Sequence, residues 1–233
     1  MFEAEADGLR ELRSADAIRV PEVLGCGVEN GKSFIMLERF SFDRPSARTE
    51  QQFGERLAKL HRHTADRFGW FRDNTIGLTP QVNTWSDNWI AFFRTHRLGF
   101  QLSLARANGY GADLQQASQR LTENLPELFK DYEPVPSLLH GDLWSGNWGS
   151  VGGEPVIFDP AVHYGDRESD IAMTMLFGGF GKAFYDAYER SWPMAPGHAQ
   201  RINLYQLYHV LNHLNLFGRS YLAQATKLLG ELA

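Results

Sequence analysis

The sequence predicts an α+β fold in two parts, a short strand-bearing segment over residues 1–40 and a mainly helical remainder over 41–233. Three observations predict it. Val23 to Val28 and Ser33 to Phe40 are consecutive apolar runs separated by the turn Glu29-Asn30-Gly31-Lys32. Gly152-Gly153 lies between two further apolar runs, as the turn of a hairpin should. Elsewhere apolar residues recur at helical spacing, which strands do not do.

Met1 to Arg13 carries Phe2, Leu9 and Leu12 among good helix formers and reads as a helix. Cys26 fits a buried strand position. Thr49 with Gln52 makes a capping box for a helix whose inner face is Phe53, Leu57, Leu60, His61 and Thr64. His61 and His63, two apart on a helix, point to different faces and make no metal pair. Arg67 to Gly77 reads as an aromatic and polar loop, and Trp85, Trp89, Phe92, Phe93 and His96 as the apolar face of a long helix. Helices are further expected over Asp113 to Thr122, from Pro126 onward, over Ala183 to Trp192 and over Ile202 to Phe217. Glu133-Pro134-Val135-Pro136 is an extended lead into a strand. His209 and His213 are four apart with no third ligand, so they are expected to be structural. Arg167 and Glu168 are expected to form a local pair or to touch a substrate.

Composition narrows the classes of function. With 43% hydrophobic and 22% charged residues in 233, the chain is an ordinary globular sequence able to bury a large core. A net charge of −5 with dispersed cations argues against a nucleic-acid surface. One cysteine excludes an internal disulfide, and no apolar run approaches the roughly 18 residues of a membrane helix. The expected partner is a small molecule and the expected location the cytoplasm, with no signal peptide in Met1-Phe2-Glu3-Ala4-Glu5.

The chemistry concentrates in His140-Gly141-Asp142-Leu143-Trp144-Ser145-Gly146-Asn147, followed by a strand that ends on Asp159. Asp142 and Asn147 are five apart, and Asp159 comes twelve later. Phosphoryl transfer needs that set: one carboxylate to take the proton of an acceptor hydroxyl, and an amide oxygen and a second carboxylate to hold magnesium on the ATP phosphates.

Those motifs, with Phe158-Asp159-Pro160-Ala161, the segment from Tyr164 to Met173, and Asn74 to Trp85, resemble the fructosamine (ketosamine) 3-kinases, a branch of the aminoglycoside phosphotransferase and choline kinase group. The resemblance implies a protein-kinase-like two-lobe fold, with ATP and Mg2+ as cofactors. It implies transfer to the sugar 3-hydroxyl of a ketosamine or glycated amine, serving protein deglycation. Asp142 is then the base, and Asn147 and Asp159 the metal ligands. The carbonyl of Glu38 and the amide of Phe40 hold adenine, and Trp144, Asn74 and Gln81 lie toward the substrate. His140 and Asp170 support the loop, Asp170 by accepting hydrogen bonds from its backbone. Glu5 matches the helix glutamate that pairs with an ATP-holding lysine. The family's glycine-rich loop and that lysine belong upstream of Met1, so the N-terminal lobe is expected to be truncated and turnover slower than in a chain extended upstream. Gly25-Cys26-Gly27 is too irregular to replace the loop. A monomer is expected, with dimerisation through an open sheet edge as the alternative. The alternative activities are phosphorylation of another small alcohol or an aminoglycoside, or a catalytically impaired kinase relative.

Overall fold

The computed structural model describes all residues, Met1 to Ala233. Helix α1 (Phe2–Ser14) buries Leu9 and Leu12 and leads to an antiparallel hairpin of β1 (Val23–Glu29) and β2 (Lys32–Leu37). The hairpin turns through Asn30 and Gly31, both at positive φ. The second strand stops at Leu37 rather than Phe40, because beyond the Val23–Leu37 pair its partner runs into Pro21, which has no N–H for a ladder. Cys26 is half-buried rather than buried, since the sheet has only these two strands.

Helix α2 (Ala47–His61) is capped three residues earlier than the sequence suggests. The Ser46 hydroxyl accepts the Thr49 N–H at 3.1 Å and the Thr49 hydroxyl accepts the Ser46 N–H at 3.2 Å, so Thr49 closes the box instead of opening it. The expected loop after it contains a hairpin of β3 (Asn74–Ile76) and β4 (Thr79–Gln81), reversed at Gly77 with φ +58°.

The long helix begins at Trp89, capped by the Asn88 side chain on the Ala91 N–H at 2.8 Å, so Trp85 lies outside it. It runs through α3 (Trp89–Phe92), a π-helical stretch at Phe93–Gly99 and α4 (Phe100–Ala105), and a kink at Gly109, φ +91°, separates it from the next helix, α5 (Gly111–Asn124). The wide turn at Phe93–Gly99 includes Arg97, whose guanidinium is buried on the Val82 carbonyl and the Asn83 side chain. A short 3-10 turn, Leu125–Phe129, follows with Pro126 in its first turn.

Strand β5 (Ser137–Leu139) enters the 140–147 loop, and β6 (Trp148–Val151) and β7 (Glu154–Ile157) form the hairpin turned by Gly152 and Gly153. After Asp159 the chain returns as β8 (His163–Gly165), paired antiparallel with β5. The remaining helices are α6 (Glu168–Leu176), α7 (Lys182–Ser191), α8 (His198–Phe217) and α9 (Leu222–Leu232). One connected apolar core runs from Leu9 and Leu12 of α1 through Phe53 and Leu57 of α2 to Leu207 and Leu211 of α8. Every functional segment therefore rests on the same packed body. No helix is long and apolar enough to cross a membrane.

Candidate active site

The loop at 140–147 is zipped to the segment that carries Asp159. Ala161 N–H donates to the His140 carbonyl at 2.8 Å, Phe158 N–H donates to the Asn147 carbonyl at 3.1 Å, and the His140 ring reaches the Phe158 carbonyl at 3.0 Å. Gly141 must be glycine for two reasons. Its φ is +84°, and a Cβ there would run into the Ala161 carbonyl. Asp159 takes the left-handed conformation with φ +57°, an uncommon backbone state that a side chain keeps only when its surroundings hold it there.

The Asn147 side chain lies between the other two residues expected at the site. Asn147 Nδ2 donates to the Asp142 carbonyl at 2.9 Å and to the Asp159 carbonyl at 3.3 Å, with the Asp142 carboxylate 3.4 Å away. Asp142 and Asp159 line one recess of about 50 Å³ with Glu5, Thr75 and Gly77. No lysine or arginine lines it. Burial, then the charges of Asp159 and Asp170, push the Asp142 carboxyl up to about 7, and burial followed by Asp159 raises Glu5. Three acids thus share the recess, with the Met1 ammonium as the cation on its lining. Thr75 and Gly77 had no signal of their own in the sequence; the β3–β4 hairpin brings them here.

Beneath the loop, the Asp170 carboxylate accepts the His140 N–H at 2.8 Å and the Gly141 N–H at 2.9 Å. His61 lies 3.2 Å from the same carboxylate and 2.8 Å from the Tyr188 hydroxyl. Arg167 donates to that hydroxyl at 3.0 Å, so the phenol proton is free to point at His61 Nδ1 and leave Nε2–H for Asp170. Burial raises the Asp170 carboxyl, but hydrogen bonding and charge from His61, with His140 and the loop amides, outweigh it and hold it below the ordinary range. His61 is pushed down by burial, against Asp170. The histidine that helical spacing placed in the core is thus a polar strut under the loop.

Two further expectations are corrected. Asn74 and Gln81 turn inward: Asn74 Nδ2 donates to the Val162 carbonyl at 2.8 Å, and Gln81 Nε2 to the Ala161 carbonyl at 3.1 Å and to Asn74 Oδ1 at 2.9 Å. Tyr208 donates to Gln81 Oε1 at 2.9 Å, and Asn83, held by Arg97, donates to Asn74 Oδ1 at 2.9 Å. With their polar atoms engaged, the two amides brace the strand that follows Asp159 instead of facing a ligand. Arg167 and Glu168 neither pair with each other nor reach the recess. Arg167 donates to the Trp192 and Pro193 carbonyls, and Glu168 forms a buried two-contact ion pair with Arg201 at 2.7 and 2.9 Å.

Trp144 stands on the loop surface, 38% exposed, with its ring over Gly146 where a side chain has no room. The Glu38 carboxylate is held by Arg19 at 2.6 Å, and Arg19 also lies over the Phe40 ring at 4.7 Å. The Glu38 carbonyl and Phe40 amide are not used in internal backbone hydrogen bonds. His209 and His213 are joined by a ring-to-carbonyl contact of 2.8 Å, and no cluster of three His, Cys, Asp or Glu suited to a metal is formed.

A helix and hairpin packed on a helical body, with Asp142 and Asp159 at one recess and Asn147 hydrogen-bonded to both, is the frame of a kinase-like small-molecule phosphotransferase. The fold agrees: a ternary complex of an aminoglycoside phosphotransferase mutant with AMP-PNP and hygromycin B superposes with a TM-score of 0.62 at 17% identity, covering 97% of this chain and 81% of that one. The sequence profile of the fructosamine kinase family matches residues 1–233, and the chain belongs to that family. It is 47% identical to a probable ketoamine kinase of Synechocystis sp. over 99% of this chain and 78% of that protein. It is 43% identical to the chloroplastic protein-ribulosamine 3-kinase of Arabidopsis thaliana over 99% of this chain and 72% of that protein. A provisionally assigned fructosamine-3-kinase from Haemophilus somnus 129PT superposes with a TM-score of 0.92 at 33% identity, covering 100% of this chain and 79% of that one.

Proposed function

We propose that this chain transfers the γ-phosphoryl group of ATP to the sugar 3-hydroxyl of a ketosamine. The observation that carries the reading is that Asp142 and Asp159 line one recess and Asn147 is hydrogen-bonded to both residues, in a chain of the fructosamine kinase family. Asp142 receives the proton of the attacking hydroxyl as the oxygen–phosphorus bond forms and the bond to the departing ADP oxygen breaks. Asn147 spends its N–H groups on Asp142 and Asp159, which leaves its amide oxygen for a metal ion; Asp159 adds a carboxylate. Two hard oxygens and no closed ligand cage suit Mg2+, which keeps water and phosphate oxygens in its shell. When bound, Mg2+ neutralises charge on the transferring phosphoryl group. The unused Glu38 carbonyl and Phe40 amide take the adenine edge, and Trp144 offers a ring face to the sugar. His140 and Asp170 keep the loop in register, and Glu5 supplies an acid toward Asp159 for a cation of the nucleotide site. The location we favour is the cytoplasm, from the ordinary composition and single cysteine, although the Arabidopsis relative is named chloroplastic.

The test is an ADP-release assay with ATP, Mg2+ and a panel of acceptors: fructose- and ribulose-derived ketosamines, simple alcohols and aminoglycosides, with phosphorus NMR of the product. Formation of a ketosamine 3-phosphate is expected. Turnover of an aminoglycoside alone would overturn the assignment.

A further inference from the structure

Beside the loop lies a second, larger cavity that the phosphoryl-transfer residues do not use. It is a groove of about 470 Å³ walled by four rings, Phe42, Trp148, Phe158 and Phe180, and by two acids, Asp43 and Glu50. The rings form two packed pairs, Phe42 with Phe158 at 5.5 Å and Trp148 with Phe180 at 5.3 Å between centroids. The groove adjoins the reaction centre by covalent connection. Trp148 follows Asn147, Phe158 precedes Asp159, and Ser145, which also lines the groove, lies three residues past Asp142. Neighbouring Cα atoms are about 3.8 Å apart, so the groove begins one residue from each proposed metal ligand.

Its chemistry is one-sided. No lysine or arginine lines it, Arg56 is engaged by Glu154, and Lys182 by Asp186. Asp43 is anchored by the Gly153 N–H at 3.1 Å, while Glu50 lies against Gly181, where any side chain would strike its carboxylate. Aromatic faces beside carboxylates with no lysine or arginine partner favour an organic cation, because the ring quadrupole and the acid attract the same charge. Nucleotide phosphates are disfavoured by the same charges. In a ketosamine the nitrogen that joins sugar and arm is a basic amine, and an arm such as that of lysine adds a further ammonium, the positive charge this groove lacks.

We propose that the groove is the subsite for the cationic, amine-bearing arm of the acceptor, with Glu50 as a specificity-determining residue. The proposal rests on the ketosamine reading above. The arm lies along the rings with its ammonium at Glu50 and Asp43, while the sugar reaches Asp142 past Ser145.

The experiment compares two acceptors with the same 1-deoxyfructose, one on the side-chain nitrogen of lysine amide, whose arm ends in an ammonium, and one on butylamine, whose arm is neutral. KM for the lysine adduct is expected to be about tenfold lower in the parent chain, with kcat similar. Glu50→Gln should erase that advantage at unchanged KM for ATP and unchanged melting temperature, and raised salt should shrink it in the parent alone. Glu50→Ala should behave as Glu50→Gln. Equal KM values for the two adducts in the parent would overturn the subsite while leaving the ketosamine reading intact. A rise in the KM for ATP in Glu50→Gln would overturn it in favour of a nucleotide groove. Failure to phosphorylate either adduct would overturn the ketosamine reading, and this proposal with it.

Discussion

Two groups of acids lie in this chain, and the fold treats them in opposite ways. Asp166 and Glu168 are buried and fully partnered: Asp166 accepts the hydroxyls of Tyr205 at 2.6 Å and Tyr132 at 2.8 Å, and Glu168 takes both arms of the Arg201 guanidinium. Burial pushes both carboxyls up, and these hydrogen bonds and the Arg201 charge pull them back. Asp142, Asp159 and Glu5 share a recess with no basic residue on its lining. The first group holds α6 to α8; the second gathers like charge that no lysine or arginine of the lining answers. Acids of one type divide into structure and chemistry according to whether the protein itself supplies the countercharge.

Removing a member of each group should separate the two roles. Asp142→Asn is expected to lower kcat by about 10²–10⁴ while leaving the urea midpoint unchanged or slightly raised, since a buried repulsive charge is lost; a comparable fall in stability would break the contrast. Arg201→Met should do the reverse. It strands a buried carboxylate at a cost of about 3–5 kcal/mol, read by urea unfolding, and pairing it with Glu168→Leu should recover most of that loss. Asp170→Asn stands between the groups, because it touches the loop but not the recess. A fall of about 10–100-fold in kcat is expected, with little change in either KM.

The smallest effect per group is a pH dependence. His61, His140, His163 and His209 are all held low by burial. A histidine whose folded pKa lies below its unfolded value binds a proton only on unfolding, so stability is present above about pH 6.5 and drains as pH falls. Unfolding at pH 5.5 should occur at lower urea than at pH 7.5, with proton uptake by these histidines on unfolding. An unchanged midpoint would mean that they are already charged in the folded state.

Much of this was legible in the letters. The helices of the second part, the hairpin at Gly152-Gly153 and the spacing of Asp142, Asn147 and Asp159 are local patterns, and local patterns survive without tertiary context. The misreadings came where several local partners compete. Ser46 and Thr49 are both good caps, and which one starts the helix depends on the chain entering it. Asn74 and Gln81 are polar residues in an aromatic loop, and nothing near them in sequence reveals that Val162, Ala161 and Tyr208 take up their amides. His61 looked like a core residue and is one, but its partners Asp170 and Tyr188 are 109 and 127 residues away.

By itself, the amino-acid order determined which groups are present at the loop and how far apart they lie along the backbone, because glycine turns, strand alternation and a five-residue spacing are short-range constraints. Only the tertiary structure decided which charges are answered. Arg201 reaches Glu168 across 33 residues, whereas no lysine or arginine lines the recess of Asp142 and Asp159. Coulomb and hydrogen-bond energies depend on distance in space and on exclusion of water, and neither quantity is written in the sequence until the chain has packed.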